Sequence, residues 1–164
     1  MNLPDAEQLL TALTAQLKPT VNTNTALLGI HTGGVWLAER LHANLQLSIP
    51  IGAMDVAFYR DDYHQRGLQG NTRSSHIPFA VDGANVIIVD DVLYTGRTIR
   101  AAMNELFDHG RPTSVQLAVL VDRGGRELPI RADYCAHTTS LPASQMLALE
   151  RSDNGHLSLR VLEK

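Results

Sequence analysis

Four consecutive β-branched residues, Val86-Ile87-Ile88-Val89, run directly into Asp90-Asp91 and, after Val92-Leu93, into Tyr94-Thr95-Gly96-Arg97-Thr98. This order leaves few folds open. An unbroken apolar run of that length suits a parallel strand covered by helices on both faces. Open α/β sheets bind ligands beyond the carboxyl ends of such strands, so Asp90 and Asp91 are expected where the strand emerges. Ile99, Ala102, Met103, Leu106 and Phe107 then follow at helical spacing. That places Thr95–Thr98 at a helix N-terminus, where backbone N–H groups without partners attract anions.

The chemistry follows from the order. The N–H groups of the turn and the hydroxyls of Thr95 and Thr98 can wrap a phosphate, and Gly96 allows close approach of the backbone. Two carboxylates beside a phosphate would repel it unless something lies between. A sugar whose hydroxyls donate to Asp90 and Asp91 does so, and a divalent cation can complete the neutralisation. The implied ligand is a ribose 5-phosphate. No glycine-rich run ends in Gly-Lys-Ser/Thr, and no Gly-x-Gly-x-x-Gly follows a strand, so the phosphate sites of nucleotide triphosphatases and dinucleotide folds are not indicated.

The apolar strand, the acid pair and Thr95-Gly96-Arg97-Thr98 together resemble the phosphoribosyl pyrophosphate motif of type I phosphoribosyltransferases. Asp55 to Asp62, Gly110-Arg111-Pro112 and above all Leu117 to Tyr134 resemble the pyrimidine branch, whose members are both operon regulators and uracil phosphoribosyltransferases. The likeness covers roughly residues 26 to 138 and weakens at both ends. It implies a single domain over 1–164 with the type I fold: a central, mostly parallel sheet flanked by helices, a small hood and a flexible active-site loop at 60–77.

Composition agrees with one domain, since 164 residues at 44% hydrophobic can bury one sizeable core. The lone Cys135 permits no internal disulfide and reads as packing. Apolar runs of about five residues fall far short of the ~20 needed to cross a bilayer, and the first residues lack a basic start. A cytoplasmic protein without membrane contact is expected.

Along the chain, Ala6, Leu9, Leu10, Leu13 and Leu17 mark a helix capped by Asp5 and stopped by Pro19. A strand at Ala26–Ile30 leads through His31-Thr32-Gly33-Gly34 into a second helix with Leu37, Ala38, Leu41 and Leu45 on one face. Further strands are expected near Ile51–Tyr59, Val86–Val89 and Val115–Val121, and Ser152-Asp153-Asn154-Gly155 reads as a hairpin turn.

The resemblance gives these segments roles. Thr32 and Gly33 lie in the loop that contacts pyrophosphate in relatives, often through a cis non-proline peptide. Many relatives carry Arg at the position of Gly33, so that charge is missing here. Arg60, Arg66 and Arg73 lie in the polar stretch 60–77, and Arg60 and Arg73 are expected to bring positive charge to the pyrophosphate when the loop closes. Asp122, Arg123 and Gly124 fall in the base pocket. Asp122 could instead face a metal, and Arg123 and Arg126 could pair with Asp122 and Glu127.

The implied reaction is displacement of pyrophosphate from phosphoribosyl pyrophosphate by N1 of uracil, giving uridine monophosphate. Asp90 and Asp91 serve the ribose, the segment Tyr94–Thr98 serves its phosphate, and Mg²⁺ is the cofactor, held at Asp90 and Asp91 directly or indirectly and at Asp122 if that carboxylate faces a metal. Purine-salvage relatives often carry an acid where Tyr94 stands, and a phenol is a poor base near neutrality, so no general base is assigned. The seven histidines show no zinc-like spacing.

A second activity is binding of a messenger RNA leader under the control of uridine nucleotides, through arginines matching Arg126 and Arg131. A net charge of -3 with only two lysines gives weak drive toward a polyanion, and a histidine of relatives is replaced by Gly125. A regulator with little enzymatic activity, or a transferase for another nucleobase, are the alternatives. Relatives form dimers or larger assemblies, and the same is expected here.

Overall fold

The computed structural model describes residues 2–56 and 75–164. Most of the expected loop at 60–77, with Arg60, Arg66 and Arg73, lies outside the described residues, as does the end of the strand expected to reach Tyr59.

Five parallel strands form the central sheet: β1 (Thr25–Ile30), β2 (Gly52–Met54), β3 (Asn85–Leu93), β4 (Ser114–Asp122) and β5 (Tyr134–Thr138), in the order β2-β1-β3-β4-β5. All six residues of β1 are buried. Alternate side chains go to opposite faces. Leu27, Ile87, Val89, Ala118 and Leu120 meet helices α1 (Ala6–Leu17) and α2 (Gly33–Leu45). Leu28, Ile30, Val86, Ile88 and Val119 meet α3 (Arg97–Asp108) through Ile99, Ala102 and Leu106. Burial on both faces is why these strands read as continuous apolar runs rather than as alternation.

Helix α1 begins where the sequence places it. Asp5 Oδ1 accepts from the N–H groups of Glu7 (2.8 Å) and Gln8 (3.1 Å), and Leu13 and Leu17 are fully buried. Such a cap is worth about 1 kcal/mol.

Strand β3 is longer than expected. Pairing with β4 continues from Asp90↔Val119 through Val92↔Val121 to Leu93↔Asp122, so both carboxylates sit inside the strand rather than after it. The strand β2 keeps only Gly52–Met54 of its expected span among the described residues. The fifth strand, β5, is an addition: it is short, lies at the sheet edge and carries half-buried Cys135, Ala136 and His137, which give little apolar signal.

Two antiparallel strands, β6 (Gln145–Arg151) and β7 (Leu157–Glu163), form a separate hairpin turning at Ser152–Gly155, as expected. Leu147, Leu149 and Leu157 anchor it in the core beneath α1 and α2. Glu7 holds it by a second means, accepting from Arg40 Nη2 (2.7 Å) and from the Leu157 N–H (2.9 Å). Among the described residues no helix is long and apolar enough to cross a membrane.

Candidate active site

Three loops leave the carboxyl ends of β1, β3 and β4 on the same edge of the sheet, and the hairpin folds over them. Between them lies a cleft of about 230 Å³. Of the residues singled out from the sequence, Thr32, Gly33, Asp90, Asp91, Tyr94, Thr98 and Arg123 line it, and Thr95, Gly96, Arg97, Asp122 and Gly124 do not. Trp36, Lys164 and the hairpin residues Met146–Leu149 line it as well, without having been expected.

At the β1 loop the His31–Thr32 peptide is cis, and the carbonyl of Thr32 accepts from the N–H groups of Val35 (3.2 Å) and Trp36 (3.3 Å) as α2 begins. The helix start presses against β3. A Cβ on Gly33 would lie 2.8 Å from Asp91 Cγ, and one on Gly34 would lie 3.1 Å from Asp90 Cα. Any side chain at position 33 must therefore displace the Asp91 carboxylate, a physical reason for glycine here.

Asp90 is 4% exposed, and its Oδ1 accepts from the Asp91 N–H (2.9 Å); Asp91 Oδ1 accepts from the Val92 N–H (2.8 Å). Each carboxylate is thus oriented by the backbone of its own strand. Among the described residues no cluster of three or more His, Cys, Asp or Glu is arranged to hold a metal. The donors on offer are these two carboxylates, a set that suits Mg²⁺, which keeps several waters and completes its shell with substrate oxygens.

The turn after β3 is built for α3 to start sharply. Gly96 has φ 94°, and a Cβ there would meet Ile130 at 3.0 Å, so glycine is required both by conformation and by space. Thr95 is buried, its Oγ1 accepts from the Arg97 N–H (3.2 Å), and its carbonyl accepts from the N–H groups of Glu127 (3.0 Å) and Leu128 (3.1 Å). The turn and the loop after β4 are therefore stitched together. The Arg97 side chain points outward to Glu127 (2.9 Å), a half-exposed pair of the kind that contributes about 0–1 kcal/mol.

The loop after β4 distributes its charges differently from the sequence expectation. Asp122 Oδ1 accepts from the Gly124 N–H (3.0 Å) and Oδ2 from Arg126 Nη2 (2.6 Å), while Arg126 Nη1 donates to the Tyr94 carbonyl. Burial opposes the charge of Asp122, but the guanidinium and the Gly124 N–H outweigh it and hold its carboxyl below the ordinary value. Asp122, Gly124 and Arg126 stand behind the cleft wall rather than on it, and both Asp122 oxygens are engaged. Arg131, exposed beyond the loop, lines a separate hollow against β4.

Arg123 is 3% exposed and forms no ion pair with an acid among the described residues. Its Nη1 donates to the Gln145 carbonyl (2.7 Å) and its Nη2 to those of Pro142 (3.1 Å) and Leu141 (3.2 Å). The guanidinium carbon sits 3.9 Å from the centre of the Tyr94 ring. One side chain thus clamps the hairpin's entry to the β3 loop, with a cation–π contact worth about 2 kcal/mol when desolvated. Of the two arginine pairings open from the sequence, Arg126–Asp122 forms; Glu127 takes Arg97 instead. No local signal in the sequence points Arg123 at carbonyls some twenty residues ahead.

Residues 2–141 match the phosphoribosyl transferase domain family. Over 157 residues the chain is 45% identical to the bifunctional protein PyrR of Nitrosococcus oceani, covering 94% of this chain and 89% of that protein. Over 153 residues it is 46% identical to the bifunctional protein PyrR of Pseudomonas aeruginosa, covering 91% and 90% respectively. A hypoxanthine-guanine phosphoribosyltransferase of Bacillus anthracis superposes with a TM-score of 0.68 at 20% identity, over 87% of this chain and 85% of that one, a likeness of fold. The parallel sheet flanked by helices is the fold shared with that solved structure. The chain belongs to the phosphoribosyl transferase family and, within it, to the bifunctional PyrR proteins.

Proposed function

We propose that the protein transfers the phosphoribosyl group of phosphoribosyl pyrophosphate to N1 of uracil, forming uridine monophosphate and pyrophosphate. The observation that carries this reading is the meeting of Asp90, Asp91, Thr98 and Thr32 in one cleft. Asp90 and Asp91 accept from the ribose hydroxyls. The backbone of Thr95–Thr98, with the hydroxyl of Thr98, binds the 5-phosphate at the start of α3. Thr32 and the α2 N-terminus face the pyrophosphate. The base lies against Tyr94 and the hairpin, where Val92, Met146 and Leu147 offer an apolar wall. Bound Mg²⁺ would neutralise charge on the leaving pyrophosphate. Catalysis by these residues is positioning and the exclusion of water, with no protein nucleophile.

The test is incubation with phosphoribosyl pyrophosphate, Mg²⁺ and, in parallel, uracil, hypoxanthine, guanine, adenine or orotate. Uridine monophosphate as the sole nucleotide product is expected; a purine nucleotide or orotidylate would replace this reading with another base.

The relatives are named bifunctional, which supports a second activity, RNA-leader binding tuned by uridine nucleotides; we propose that the protein works as a cytoplasmic homodimer or larger assembly. Filter binding of a pyrimidine-operon leader at low salt tests it, and absence of retention with and without uridine monophosphate would remove it.

A further inference from the structure

The cleft has two chemically distinct ends. Asp90, Asp91, Thr98, Thr32 and Gly33 form the polar one, fitted to a sugar and its phosphates. Val92, Tyr94 and the β6 residues Met146–Leu149 form the apolar one, fitted to a flat ring. Two cations line the cleft among the described residues, Arg123 and Lys164. The guanidinium Nη atoms of Arg123 are taken by three main-chain carbonyls. Lys164 pairs with no carboxylate among the described residues.

Lys164 is also held in place. Its N–H donates to the Ser144 carbonyl (2.8 Å), continuing the β6–β7 ladder one step past Gln145↔Glu163. The ammonium then reaches over the Tyr94 ring, 5.2 Å from its centre. An ammonium offers three donors and accepts nothing. At the apolar end of the cleft it can therefore reward a ring that presents a carbonyl oxygen and oppose one that presents an amine at the same edge.

We propose that Lys164 is a specificity-determining residue of the transfer reaction, its ammonium donating to a carbonyl oxygen of the nucleobase held against Tyr94. The inference rests on the uracil reading given above and extends it to the selection of the base. It assigns Lys164 to the base and not to the pyrophosphate, because its anchor, Tyr94, belongs to the apolar end.

The experiment compares wild type, Lys164→Met and Lys164→Arg. The methionine keeps an unbranched stem over Tyr94 and removes the donors. The wild-type product assay comes first: failure to form uridine monophosphate would refute the uracil reading itself. With that product formed, Lys164→Met is expected to raise KM for uracil about tenfold or more, the scale of one charge-assisted hydrogen bond. KM for phosphoribosyl pyrophosphate should stay within twofold, and Lys164→Arg should restore most of the loss. Calorimetry gives a second readout: Lys164→Met should weaken uridine monophosphate and leave ribose 5-phosphate unchanged. An unchanged KM for uracil, or equal weakening of both ligands, would overturn the assignment to the base.

Discussion

Asp122 at the end of β4 and Arg126 in the loop that follows form an ion pair of 2.6 Å, and the same guanidinium holds the carbonyl of Tyr94. The pair therefore shapes the cleft wall from behind. Because the Asp122 carboxyl lies below its ordinary value when folded, the pair contributes stability above about pH 4, the unfolded value. That contribution is lost as pH falls from there toward the depressed folded value. Asp122→Asn is expected to cost about 1–3 kcal/mol at neutral pH and to flatten the acid limb of stability. Denaturant midpoints measured between neutral pH and pH 3 check both statements.

The two arginines matched to RNA binding should now separate. Arg126 is half-buried and structural, whereas Arg131 is exposed. Arg126→Glu sets two acids against each other behind Tyr94 and is expected to lower uracil transfer at least tenfold by misplacing the wall. Arg131→Glu should leave transfer within twofold and weaken any leader binding, with a shallower salt dependence. Transfer rates and filter binding on the same preparations decide it.

Asp90→Asn and Asp91→Asn should lower turnover by about ten- to a hundredfold each while melting within a few degrees of wild type. Each keeps its shape and its local acceptor oxygen but loses the charge that strengthens a bond to a ribose hydroxyl. Steady-state kinetics with a thermal scan test this, and unchanged kinetics in both would remove the carboxylates from the site.

The hairpin is fastened at its far end by Glu7, whose carboxyl is held below its ordinary value first by the Arg40 side chain and then by the Leu157 N–H, against the effect of burial. Glu7→Gln weakens both bonds and is expected to cost about 1 kcal/mol. Faster hydrogen exchange at the Leu157 amide, with little change in β3, would show that the fastening is local.

Much of this was legible in the sequence because local chemistry and global role coincide. Val86–Val89 must be buried on both faces, Asp90-Asp91 have no cheap place except a ligand edge, and Gly96 answers a positive φ. The turn at Ser152–Gly155 and the cap at Asp5 are likewise local devices. What escaped depends on long-range closure. Nothing near Arg123 reveals that it will be spent on the carbonyls of Leu141, Pro142 and Gln145, or that β6 will wall the cleft. Trp36 and Lys164 reach the site only because two distant elements are folded onto it. Strand β3 outruns its apolar pattern because charged residues end that pattern without ending the hydrogen-bond ladder with β4.

The carbonyl of Thr95 receives two N–H groups from Glu127 and Leu128. One oxygen atom thus joins the segment proposed to grip a phosphate to the loop that carries Arg123, whose guanidinium lies against Tyr94. A ligand that fills both ends on one frame would order this shared point once. A free base and a sugar phosphate, bound separately, would each meet that ordering cost alone. A whole nucleotide is therefore expected to bind more tightly than the separate binding of its two fragments would give.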